Sequence, residues 1–365
     1  MESFTIAASA NSVFDAEGNA VNTALSLATS LNEVQSVSIS SRAPTAGEAG
    51  ISIAATVDVT FDIAMSISSF TSSTFSLSES GGSSIAGSVS FDISTTTASF
   101  SLGTSLAYQR TYTATLNGVA GSNNTTLALT SWSFSSVDLT SDLVLYLPLN
   151  SNGDDFSGNG YHGTVSGSIA TTDRLSTVDG AFNFDGTDDI ITVTNHADLD
   201  IGQDASRRFS LAFWYKAEGT ATTAQGLVTK RNGTSSANDD YSVLTGSGNL
   251  AVQTGSGDNT VFIAEPTRNT WHHVAFTLEA NGTTTGVLKL YVDGELASKS
   301  SYTAKTAVQT ADLKIGFLQG GAYFDGKIDE IRVYHRTLTS DEVKALADPD
   351  NNWNGALWGT AAWGD

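Results

Sequence analysis

The sequence predicts an all-β protein built from two β-sandwich domains, and three observations carry that expectation. Apolar residues alternate with polar ones at period two, as in Val57, Val59, Phe61 and Ile63 against Asp58, Thr60 and Asp62. Turns rich in Gly, Ser and Asn separate these short runs, which is the pattern of antiparallel strands. One segment alone has helical character: "TSDEVKALA", residues 339–347, with Thr339 as N-cap and Glu342 completing a capping box. A length of 365 residues suits about two domains, each large enough for its own core.

Charged residues make up 15% of the chain and hydrophobic ones 40%, the balance of polar-surfaced β-structure. The formal net charge is −21, from 17 basic and 38 acidic residues. Such a chain repels nucleic acid and anionic membranes. Its carboxylates either suit divalent cations, calcium above all, or simply keep the surface soluble. The absence of cysteine excludes disulfides and thiolate metal sites. No apolar run is long enough to span a membrane as a helix. The opening "MESFTIAASANS" lacks the basic start and apolar core of a signal peptide, so the expected reading is a segment excised from a longer exported protein.

The two halves differ in composition. Lys216 is the first lysine, so no Lys–Asn isopeptide crosslink can form within the first half. There, Val89, Phe91 and Ile93, then Phe100 and Leu102, then Tyr112, Ala114 and Leu116, then Trp132 and Phe134 continue the alternation and read as a sandwich. The run "APTAGEAGISIAATVDVTFDIAMSISSFTSSTFSLS", followed by "GSVSFD", "YTATLNGV" and "SWSFSS", resembles a bacterial Ig-like domain of the S-layer-protein type over residues 37–137. Residues 1–36 are similar to the closing strands of a preceding Ig-like repeat; the alternative is added strands of this sandwich. Arrays of such modules are spacers, each stacking on its neighbours.

After the boundary "SSVDLTSD" comes "LVLYLPL", with Leu143, Leu145, Leu147 and Leu149 expected on one face. In "FSLAFWYK", Phe209, Leu211, Phe213 and Tyr215 share a face. In "YFDGKIDEIRVYHRTLT", Asp329, Ile331 and Val333 alternate with Ile328, Glu330, Arg332 and Tyr334, which places Asp329 on the apolar, core-facing side. A carboxylate there needs a partner. From the residues alone the partner is a cation, a set of loop amides or an arginine.

The blocks "DDFSGNGYHGT", "AFNFDGTDDIITV", "FSLAFWYK", "WHHVAFTLEANG", "LKLYVDGELASKS" and "FDGKIDEIRVYHRTLTSDEV" occur in the order of the laminin-G-like family of concanavalin A-like jelly rolls, which residues 138–348 resemble. The resemblance implies two packed antiparallel sheets, one concave and one convex. It also implies a calcium site joining an early loop to the last strand, with Asp329 and Asp155 as ligands and Asn159 and Asp188 as looser correspondences. The alternative for Asp155 is an Asx-turn without metal, and for Asp188 a solvated turn.

Adjacent residues on a strand face opposite sides, so His272 and His273 cannot chelate one ion, and His272 reads as packing. Jelly-roll glucanases carry a Glu-x-Asp-x-x-Glu strand that holds carboxylates about 5–10 Å apart. That pattern is missing here, as are "GxSxG", "HExxH" and a phosphate loop. The expectation is therefore a non-catalytic, calcium-stabilised module on an Ig-like stalk, monomeric and extracellular, in a bacterial surface adhesin. Its implied ligand is a glycan or glycoprotein, and its other neighbours are Ig-like domains of the same chain. The alternatives are a structural spacer, or an accessory region of a larger secreted glycosidase. Ligand candidates are Tyr161, Trp214, Tyr241 and Tyr323 as stacking aromatics, and Asp239 and Asp240, in the loop "ANDDYS", as sugar contacts or a second calcium site; packing or a solvated loop is the competing reading for each. In the final segment, 349–365, Trp353, Trp358 and Trp363 recur every five residues, which suits a packing strap or linker.

Overall fold

A computed structural model describes residues 3–6, 27–30, 35–201, 208–233, 239–254, 259–280, 285–303, 310–320 and 322–348. The fold is all-β, as expected. The chain divides into two compact units. The first comprises Met1–Glu48, Ala54–Ser105 and Thr111–Phe134, and the second comprises Ala49–Ile53, Leu106–Arg110 and Ser135–Asp365.

The first unit is a sandwich of two four-stranded antiparallel sheets. One runs Ile39–Ala43, Val57–Phe61, Thr97–Leu102, Gly87–Asp92, and the other Thr130–Ser135, Thr111–Leu116, Phe75–Glu79, Ser84–Ile85. The alternation maps onto its interior: Val57, Val59, Phe61, Phe100, Tyr112, Ala114, Leu116, Trp132 and Phe134 are buried. Trp132 satisfies its indole by donating to the Pro44 carbonyl at 2.9 Å, and Arg42 lies over its ring. Val89 and Phe91 are half-buried because their strand, Gly87–Asp92, is the sheet edge, and Ile93, which is exposed, lies in the turn after it. Within residues 1–36, Ser3–Ile6 pairs antiparallel with Leu27–Ser30. The rest of the expected partner fragment up to residue 34, and the tryptophan segment 349–365, lie outside the described residues.

The second unit contains an eight-stranded and a seven-stranded antiparallel sheet. The larger runs Ile169–Thr171, Ala181–Asp185, Asp325–Tyr334, Phe209–Ala217, His272–Ala280, Thr285–Val292, Glu295–Thr303, with Leu143–Leu147 also paired to Asp325–Tyr334. The smaller runs Gly163–Ser166, Ile190–Val193, Leu313–Ile315, Gln225–Arg231, Asp239–Gly246, Asn249–Thr254, Asn259–Ala264. Phe209, Leu211, Phe213 and Tyr215 fill the core together with Val228, Val243, Val252 and Ile315. A second apolar cluster covers the other face of the large sheet, where Ala212, Ala275, Tyr291 and Tyr334 meet Leu346 and Val343 of the Ser340–Leu346 helix. That helix has its capping box: Glu342 N donates to Thr339 Oγ1, and Thr339 N donates to Glu342 Oε2 at 2.7 Å.

Two of the strands singled out in the sequence depart from the expected alternation. On Asp325–Tyr334, Arg332 faces Ala212 and Asp329 faces Trp214, so three steps on one strand match two on the other. Glu330, at φ 59°, is the extra residue of a β-bulge. The bulge resets parity. Ile331 and Val333 point into the core as expected, but Asp329 lies on the opposite face with Arg332 and Tyr334. The expectation that Asp329 shares their face is therefore corrected. Likewise, a register shift between Leu143 and Leu145 puts Leu143 in the outer cluster, while Leu145, Leu147 and Leu149 stay in the core.

Candidate functional site

The "DDFSGNGYHG" loop is organised by one carboxylate. Asp155 Oδ1 accepts from the amides of Tyr146 and Ser157, each at 2.9 Å. Its Oδ2 accepts from Ser157 Oγ at 2.8 Å and from the Tyr161 amide at 2.9 Å. Four donors use the acceptor capacity of an ionised carboxylate. Asn159 turns its amide nitrogen inward and donates to the Val144 carbonyl at 2.9 Å. These contacts pin the loop and present Tyr161, which is half-buried and packs on the edge of the core. The His196 ring lies 4.5 Å from it at 32°. Tyr161 Oη donates to Asp198 Oδ2 at 2.7 Å. Burial and that hydrogen bond push the phenol up to about 12. Side chains of His196 and Asp198 are half open to solvent, at 49% and 51%. Phe156 is exposed in the same loop. This surface offers an aromatic face beside a carboxylate acceptor.

Asp329 sits in a different setting. It is 1% exposed, and Arg174 Nη1 lies 3.5 Å from its Oδ2. Arg174 also lies over the Trp214 ring, 4.6 Å from its centroid. Next to this pair, Arg332 Nη2 meets Glu330 Oε2 at 2.6 Å, and Tyr146 Oη donates to Glu330. His273 packs edge-on against Trp214, and burial pushes its imidazole down to about 3. Burial first, then Glu330, raises the Asp329 carboxyl, while Arg174 pulls it back.

The calcium set implied by the jelly-roll resemblance does not fit these residues. Calcium takes six to eight oxygens. Both oxygens of Asp155 are engaged by donors, and a guanidinium already stands against Asp329. Asp329 Oδ1 has no hydrogen-bond partner among the described residues, and the charged groups around it are mixed: Arg174 and Arg332 against Glu330 and Asp173. Asp188 lies elsewhere. Its carboxylate and those of Asp185 and Asp189 have oxygens within 4.8 Å of one another, and among the described residues this is the acidic group that converges in that way.

Residues 33–136 match the bacterial Ig-like domain family, and residues 185–344 match the concanavalin A-like lectin/glucanases superfamily, laminin-G type. The chain thus carries a bacterial Ig-like domain over residues 33–136, followed by a concanavalin A-like domain over residues 185–344. No curated protein matches it. Among solved structures it is similar to the binding domain of Paraclostridial Mosquitocidal Protein 1, at 18% identity, TM-score 0.45, covering 57% of this chain and 52% of that one. It is also similar to the receptor-binding domain of botulinum neurotoxin C/D mosaic serotype, at 15% identity, TM-score 0.45, covering 58% and 52%. A third is Domain 4 of AbnA, a GH43 extracellular arabinanase from Geobacillus stearothermophilus, in complex with arabinotriose, at 20% identity, TM-score 0.42, covering 57% and 98%. The chain spans about half the length of the two toxin domains.

Within the concanavalin A-like domain, several expected ligand residues are structural. Trp214 is 4% exposed and donates its indole N–H to the Leu346 carbonyl at 3.2 Å. Tyr241 is fully buried and donates to the Leu199 carbonyl at 3.0 Å. Neither ring can stack on a ligand. Asp240 is buried too and accepts from the Ile201 amide at 3.1 Å, so it belongs to the strand Asp239–Gly246 and not to an open loop. The Asp239 side chain lies outside the described residues. Tyr323 is half-buried against Phe317, ring centroids 4.9 Å apart. His272 is half-buried and paired with Asp293 at 2.8 Å, a polar contact that the packing reading did not name.

Sequence reasoning missed Arg174, His196 and Asp198. Arg174 is one of five basic residues before Lys216, so a scarce cation in an acidic half was a usable signal. His196 and Asp198 left none, because Tyr161 meets them across more than thirty residues. Among the described residues, no helix is long and apolar enough to cross a membrane.

Proposed function

We propose that the concanavalin A-like domain is a non-catalytic recognition module for a glycan or glycoprotein, carried beside its Ig-like domain in a bacterial surface or secreted protein. The observation that carries this reading is the half-buried Tyr161 ring at the surface, beside the His196 ring and hydrogen-bonded to Asp198. Sugars present apolar C–H faces and hydroxyl donors together. An aromatic face suits the first and a carboxylate the second. Asp155 acts behind the surface, since its bonds to the loop amides hold Tyr161 in place. The superfamily, which takes in both lectins and glucanases, supports a carbohydrate-directed role. Calcium at Asp155 and Asp329 is not part of this proposal.

A glycan array with the wild type and Tyr161→Ala tests it. Binding by the wild type that Tyr161→Ala loses is the expected result. A blank array for the wild type, or full binding by the variant, would overturn the assignment, and a blank array would leave the spacer role that the Ig-like neighbour favours.

A further inference from the structure

We infer that Arg174 is a tethered cation: it holds Asp329 in the way a divalent ion otherwise would, and the clasp between the loop at 173–180 and the last strand works without metal. The loop is built to deliver this one side chain. Asp173 Oδ1 accepts from the amides of Leu175 and Thr177 at 2.8 and 2.7 Å, and Asp173 N donates to the Thr177 carbonyl at 3.1 Å. Gly180 lets the loop close on Asp173, because a Cβ there would come within 2.8 Å of Asp173 Oδ2. The turn so formed sends Arg174 under the surface, where its side chain is 5% exposed.

Two partners meet the guanidinium, and a third contact fixes one of them. Asp329 takes one amino group, the Trp214 face takes the flat cation, and Trp214 in turn is fixed by the Leu346 carbonyl at the end of the helix. The last strand, the strand Phe209–Ala217, the 173–180 loop and the helix are thus joined through one charged group. A guanidinium keeps its charge at any accessible pH and needs no ion supply. Two fixed cations serve this cluster: Arg174 stands against Asp329 and Arg332 against Glu330, with Asp173 close by. A dication there would have to displace guanidinium groups that already stand against these carboxylates and cannot shed their own charge.

The test is thermal melting of the full chain in EDTA and in saturating calcium, for the wild type, Asp329→Asn, Arg174→Met and Arg174→Lys. Whatever shift calcium causes in the wild type is expected to persist undiminished in Asp329→Asn. Arg174→Met is expected to melt roughly 10 °C lower in both media, and Arg174→Lys to recover part of that loss. A calcium shift that Asp329→Asn abolishes, or an Arg174→Met that melts with the wild type, would overturn the inference. Should the variants not fold, wild-type crystals grown in calcium chloride decide it. Anomalous density against Asp329 with Arg174 displaced would refute the clasp. Arg174 in place, with no such density, would uphold it. Neither arm depends on whether the domain binds a glycan.

Discussion

Asp155 and Asp329 both stand out in the sequence as carboxylates at structural corners of the second domain, yet they end in opposite environments. Asp155 lies in a surface loop, and its four partners are neutral donors from residues within ten positions. Asp329 is buried and meets a guanidinium 155 residues away. The difference follows from chain geometry. A short Gly/Ser/Asn loop can turn its own amides onto a carboxylate. A residue in the middle of a strand cannot, because its neighbours' amides serve the sheet, so its partner must come from another element. One aspartate therefore shapes a surface, and the other ties elements together.

That contrast orders the effects expected on breaking each region. Asp329→Ala leaves Arg174 buried without its counter-charge and should cost about 3–5 kcal/mol, measured by chemical denaturation, with glycan binding by the folded fraction unchanged. A loss below 1 kcal/mol would remove the distinction. The same buried region should carry a pH signature through His273, whose neighbours are Arg332, Arg174 and Asp293. Its folded pKa of about 3 lies below the unfolded value, so the unfolded chain binds more protons between the two. Its contribution is thus fully present above pH ~6.5 and is lost as pH falls, at about 1.4 kcal/mol per pH unit. His273→Gln should flatten that acid limb relative to the wild type.

Asp155→Ala removes four charge-assisted hydrogen bonds and should cost about 2–3 kcal/mol. Unlike Asp329→Ala, it should also weaken ligand binding, because Tyr161 loses its anchor. Tyr161→Ala should do the reverse of Asp329→Ala: less than about 1 kcal/mol of stability, but at least a tenfold loss of affinity, about 1.4 kcal/mol. Thr339→Ala is the smallest change, about 1 kcal/mol for the lost cap, and it should leave binding untouched, since the helix covers the buried side.

Much of this was legible in residue order because it is local. Period-two alternation located the strands of both domains, and Val57, Val59 and Phe61 are buried as their pattern says. The Thr339–Glu342 box marked the helix start, since both partners lie within one turn. The motif blocks identified the two families, and the Asx-turn at Asp155 was one of the readings its loop composition allowed. What periodicity misread was the face of Asp329, because a single bulged residue, Glu330, inverts parity and leaves no mark in an otherwise regular strand.

The sequence by itself determined the all-β class, the order of the domains and which residues could be buried, because these depend on alternation and turn chemistry between near neighbours. Tertiary structure alone decided the partners of the charged groups: Arg174 for Asp329, and Asp198 for Tyr161. The physical reason is that a buried charge needs a counter-charge from wherever the fold brings one, and pairing across the sheets is set by register and bulges, not by distance along the chain.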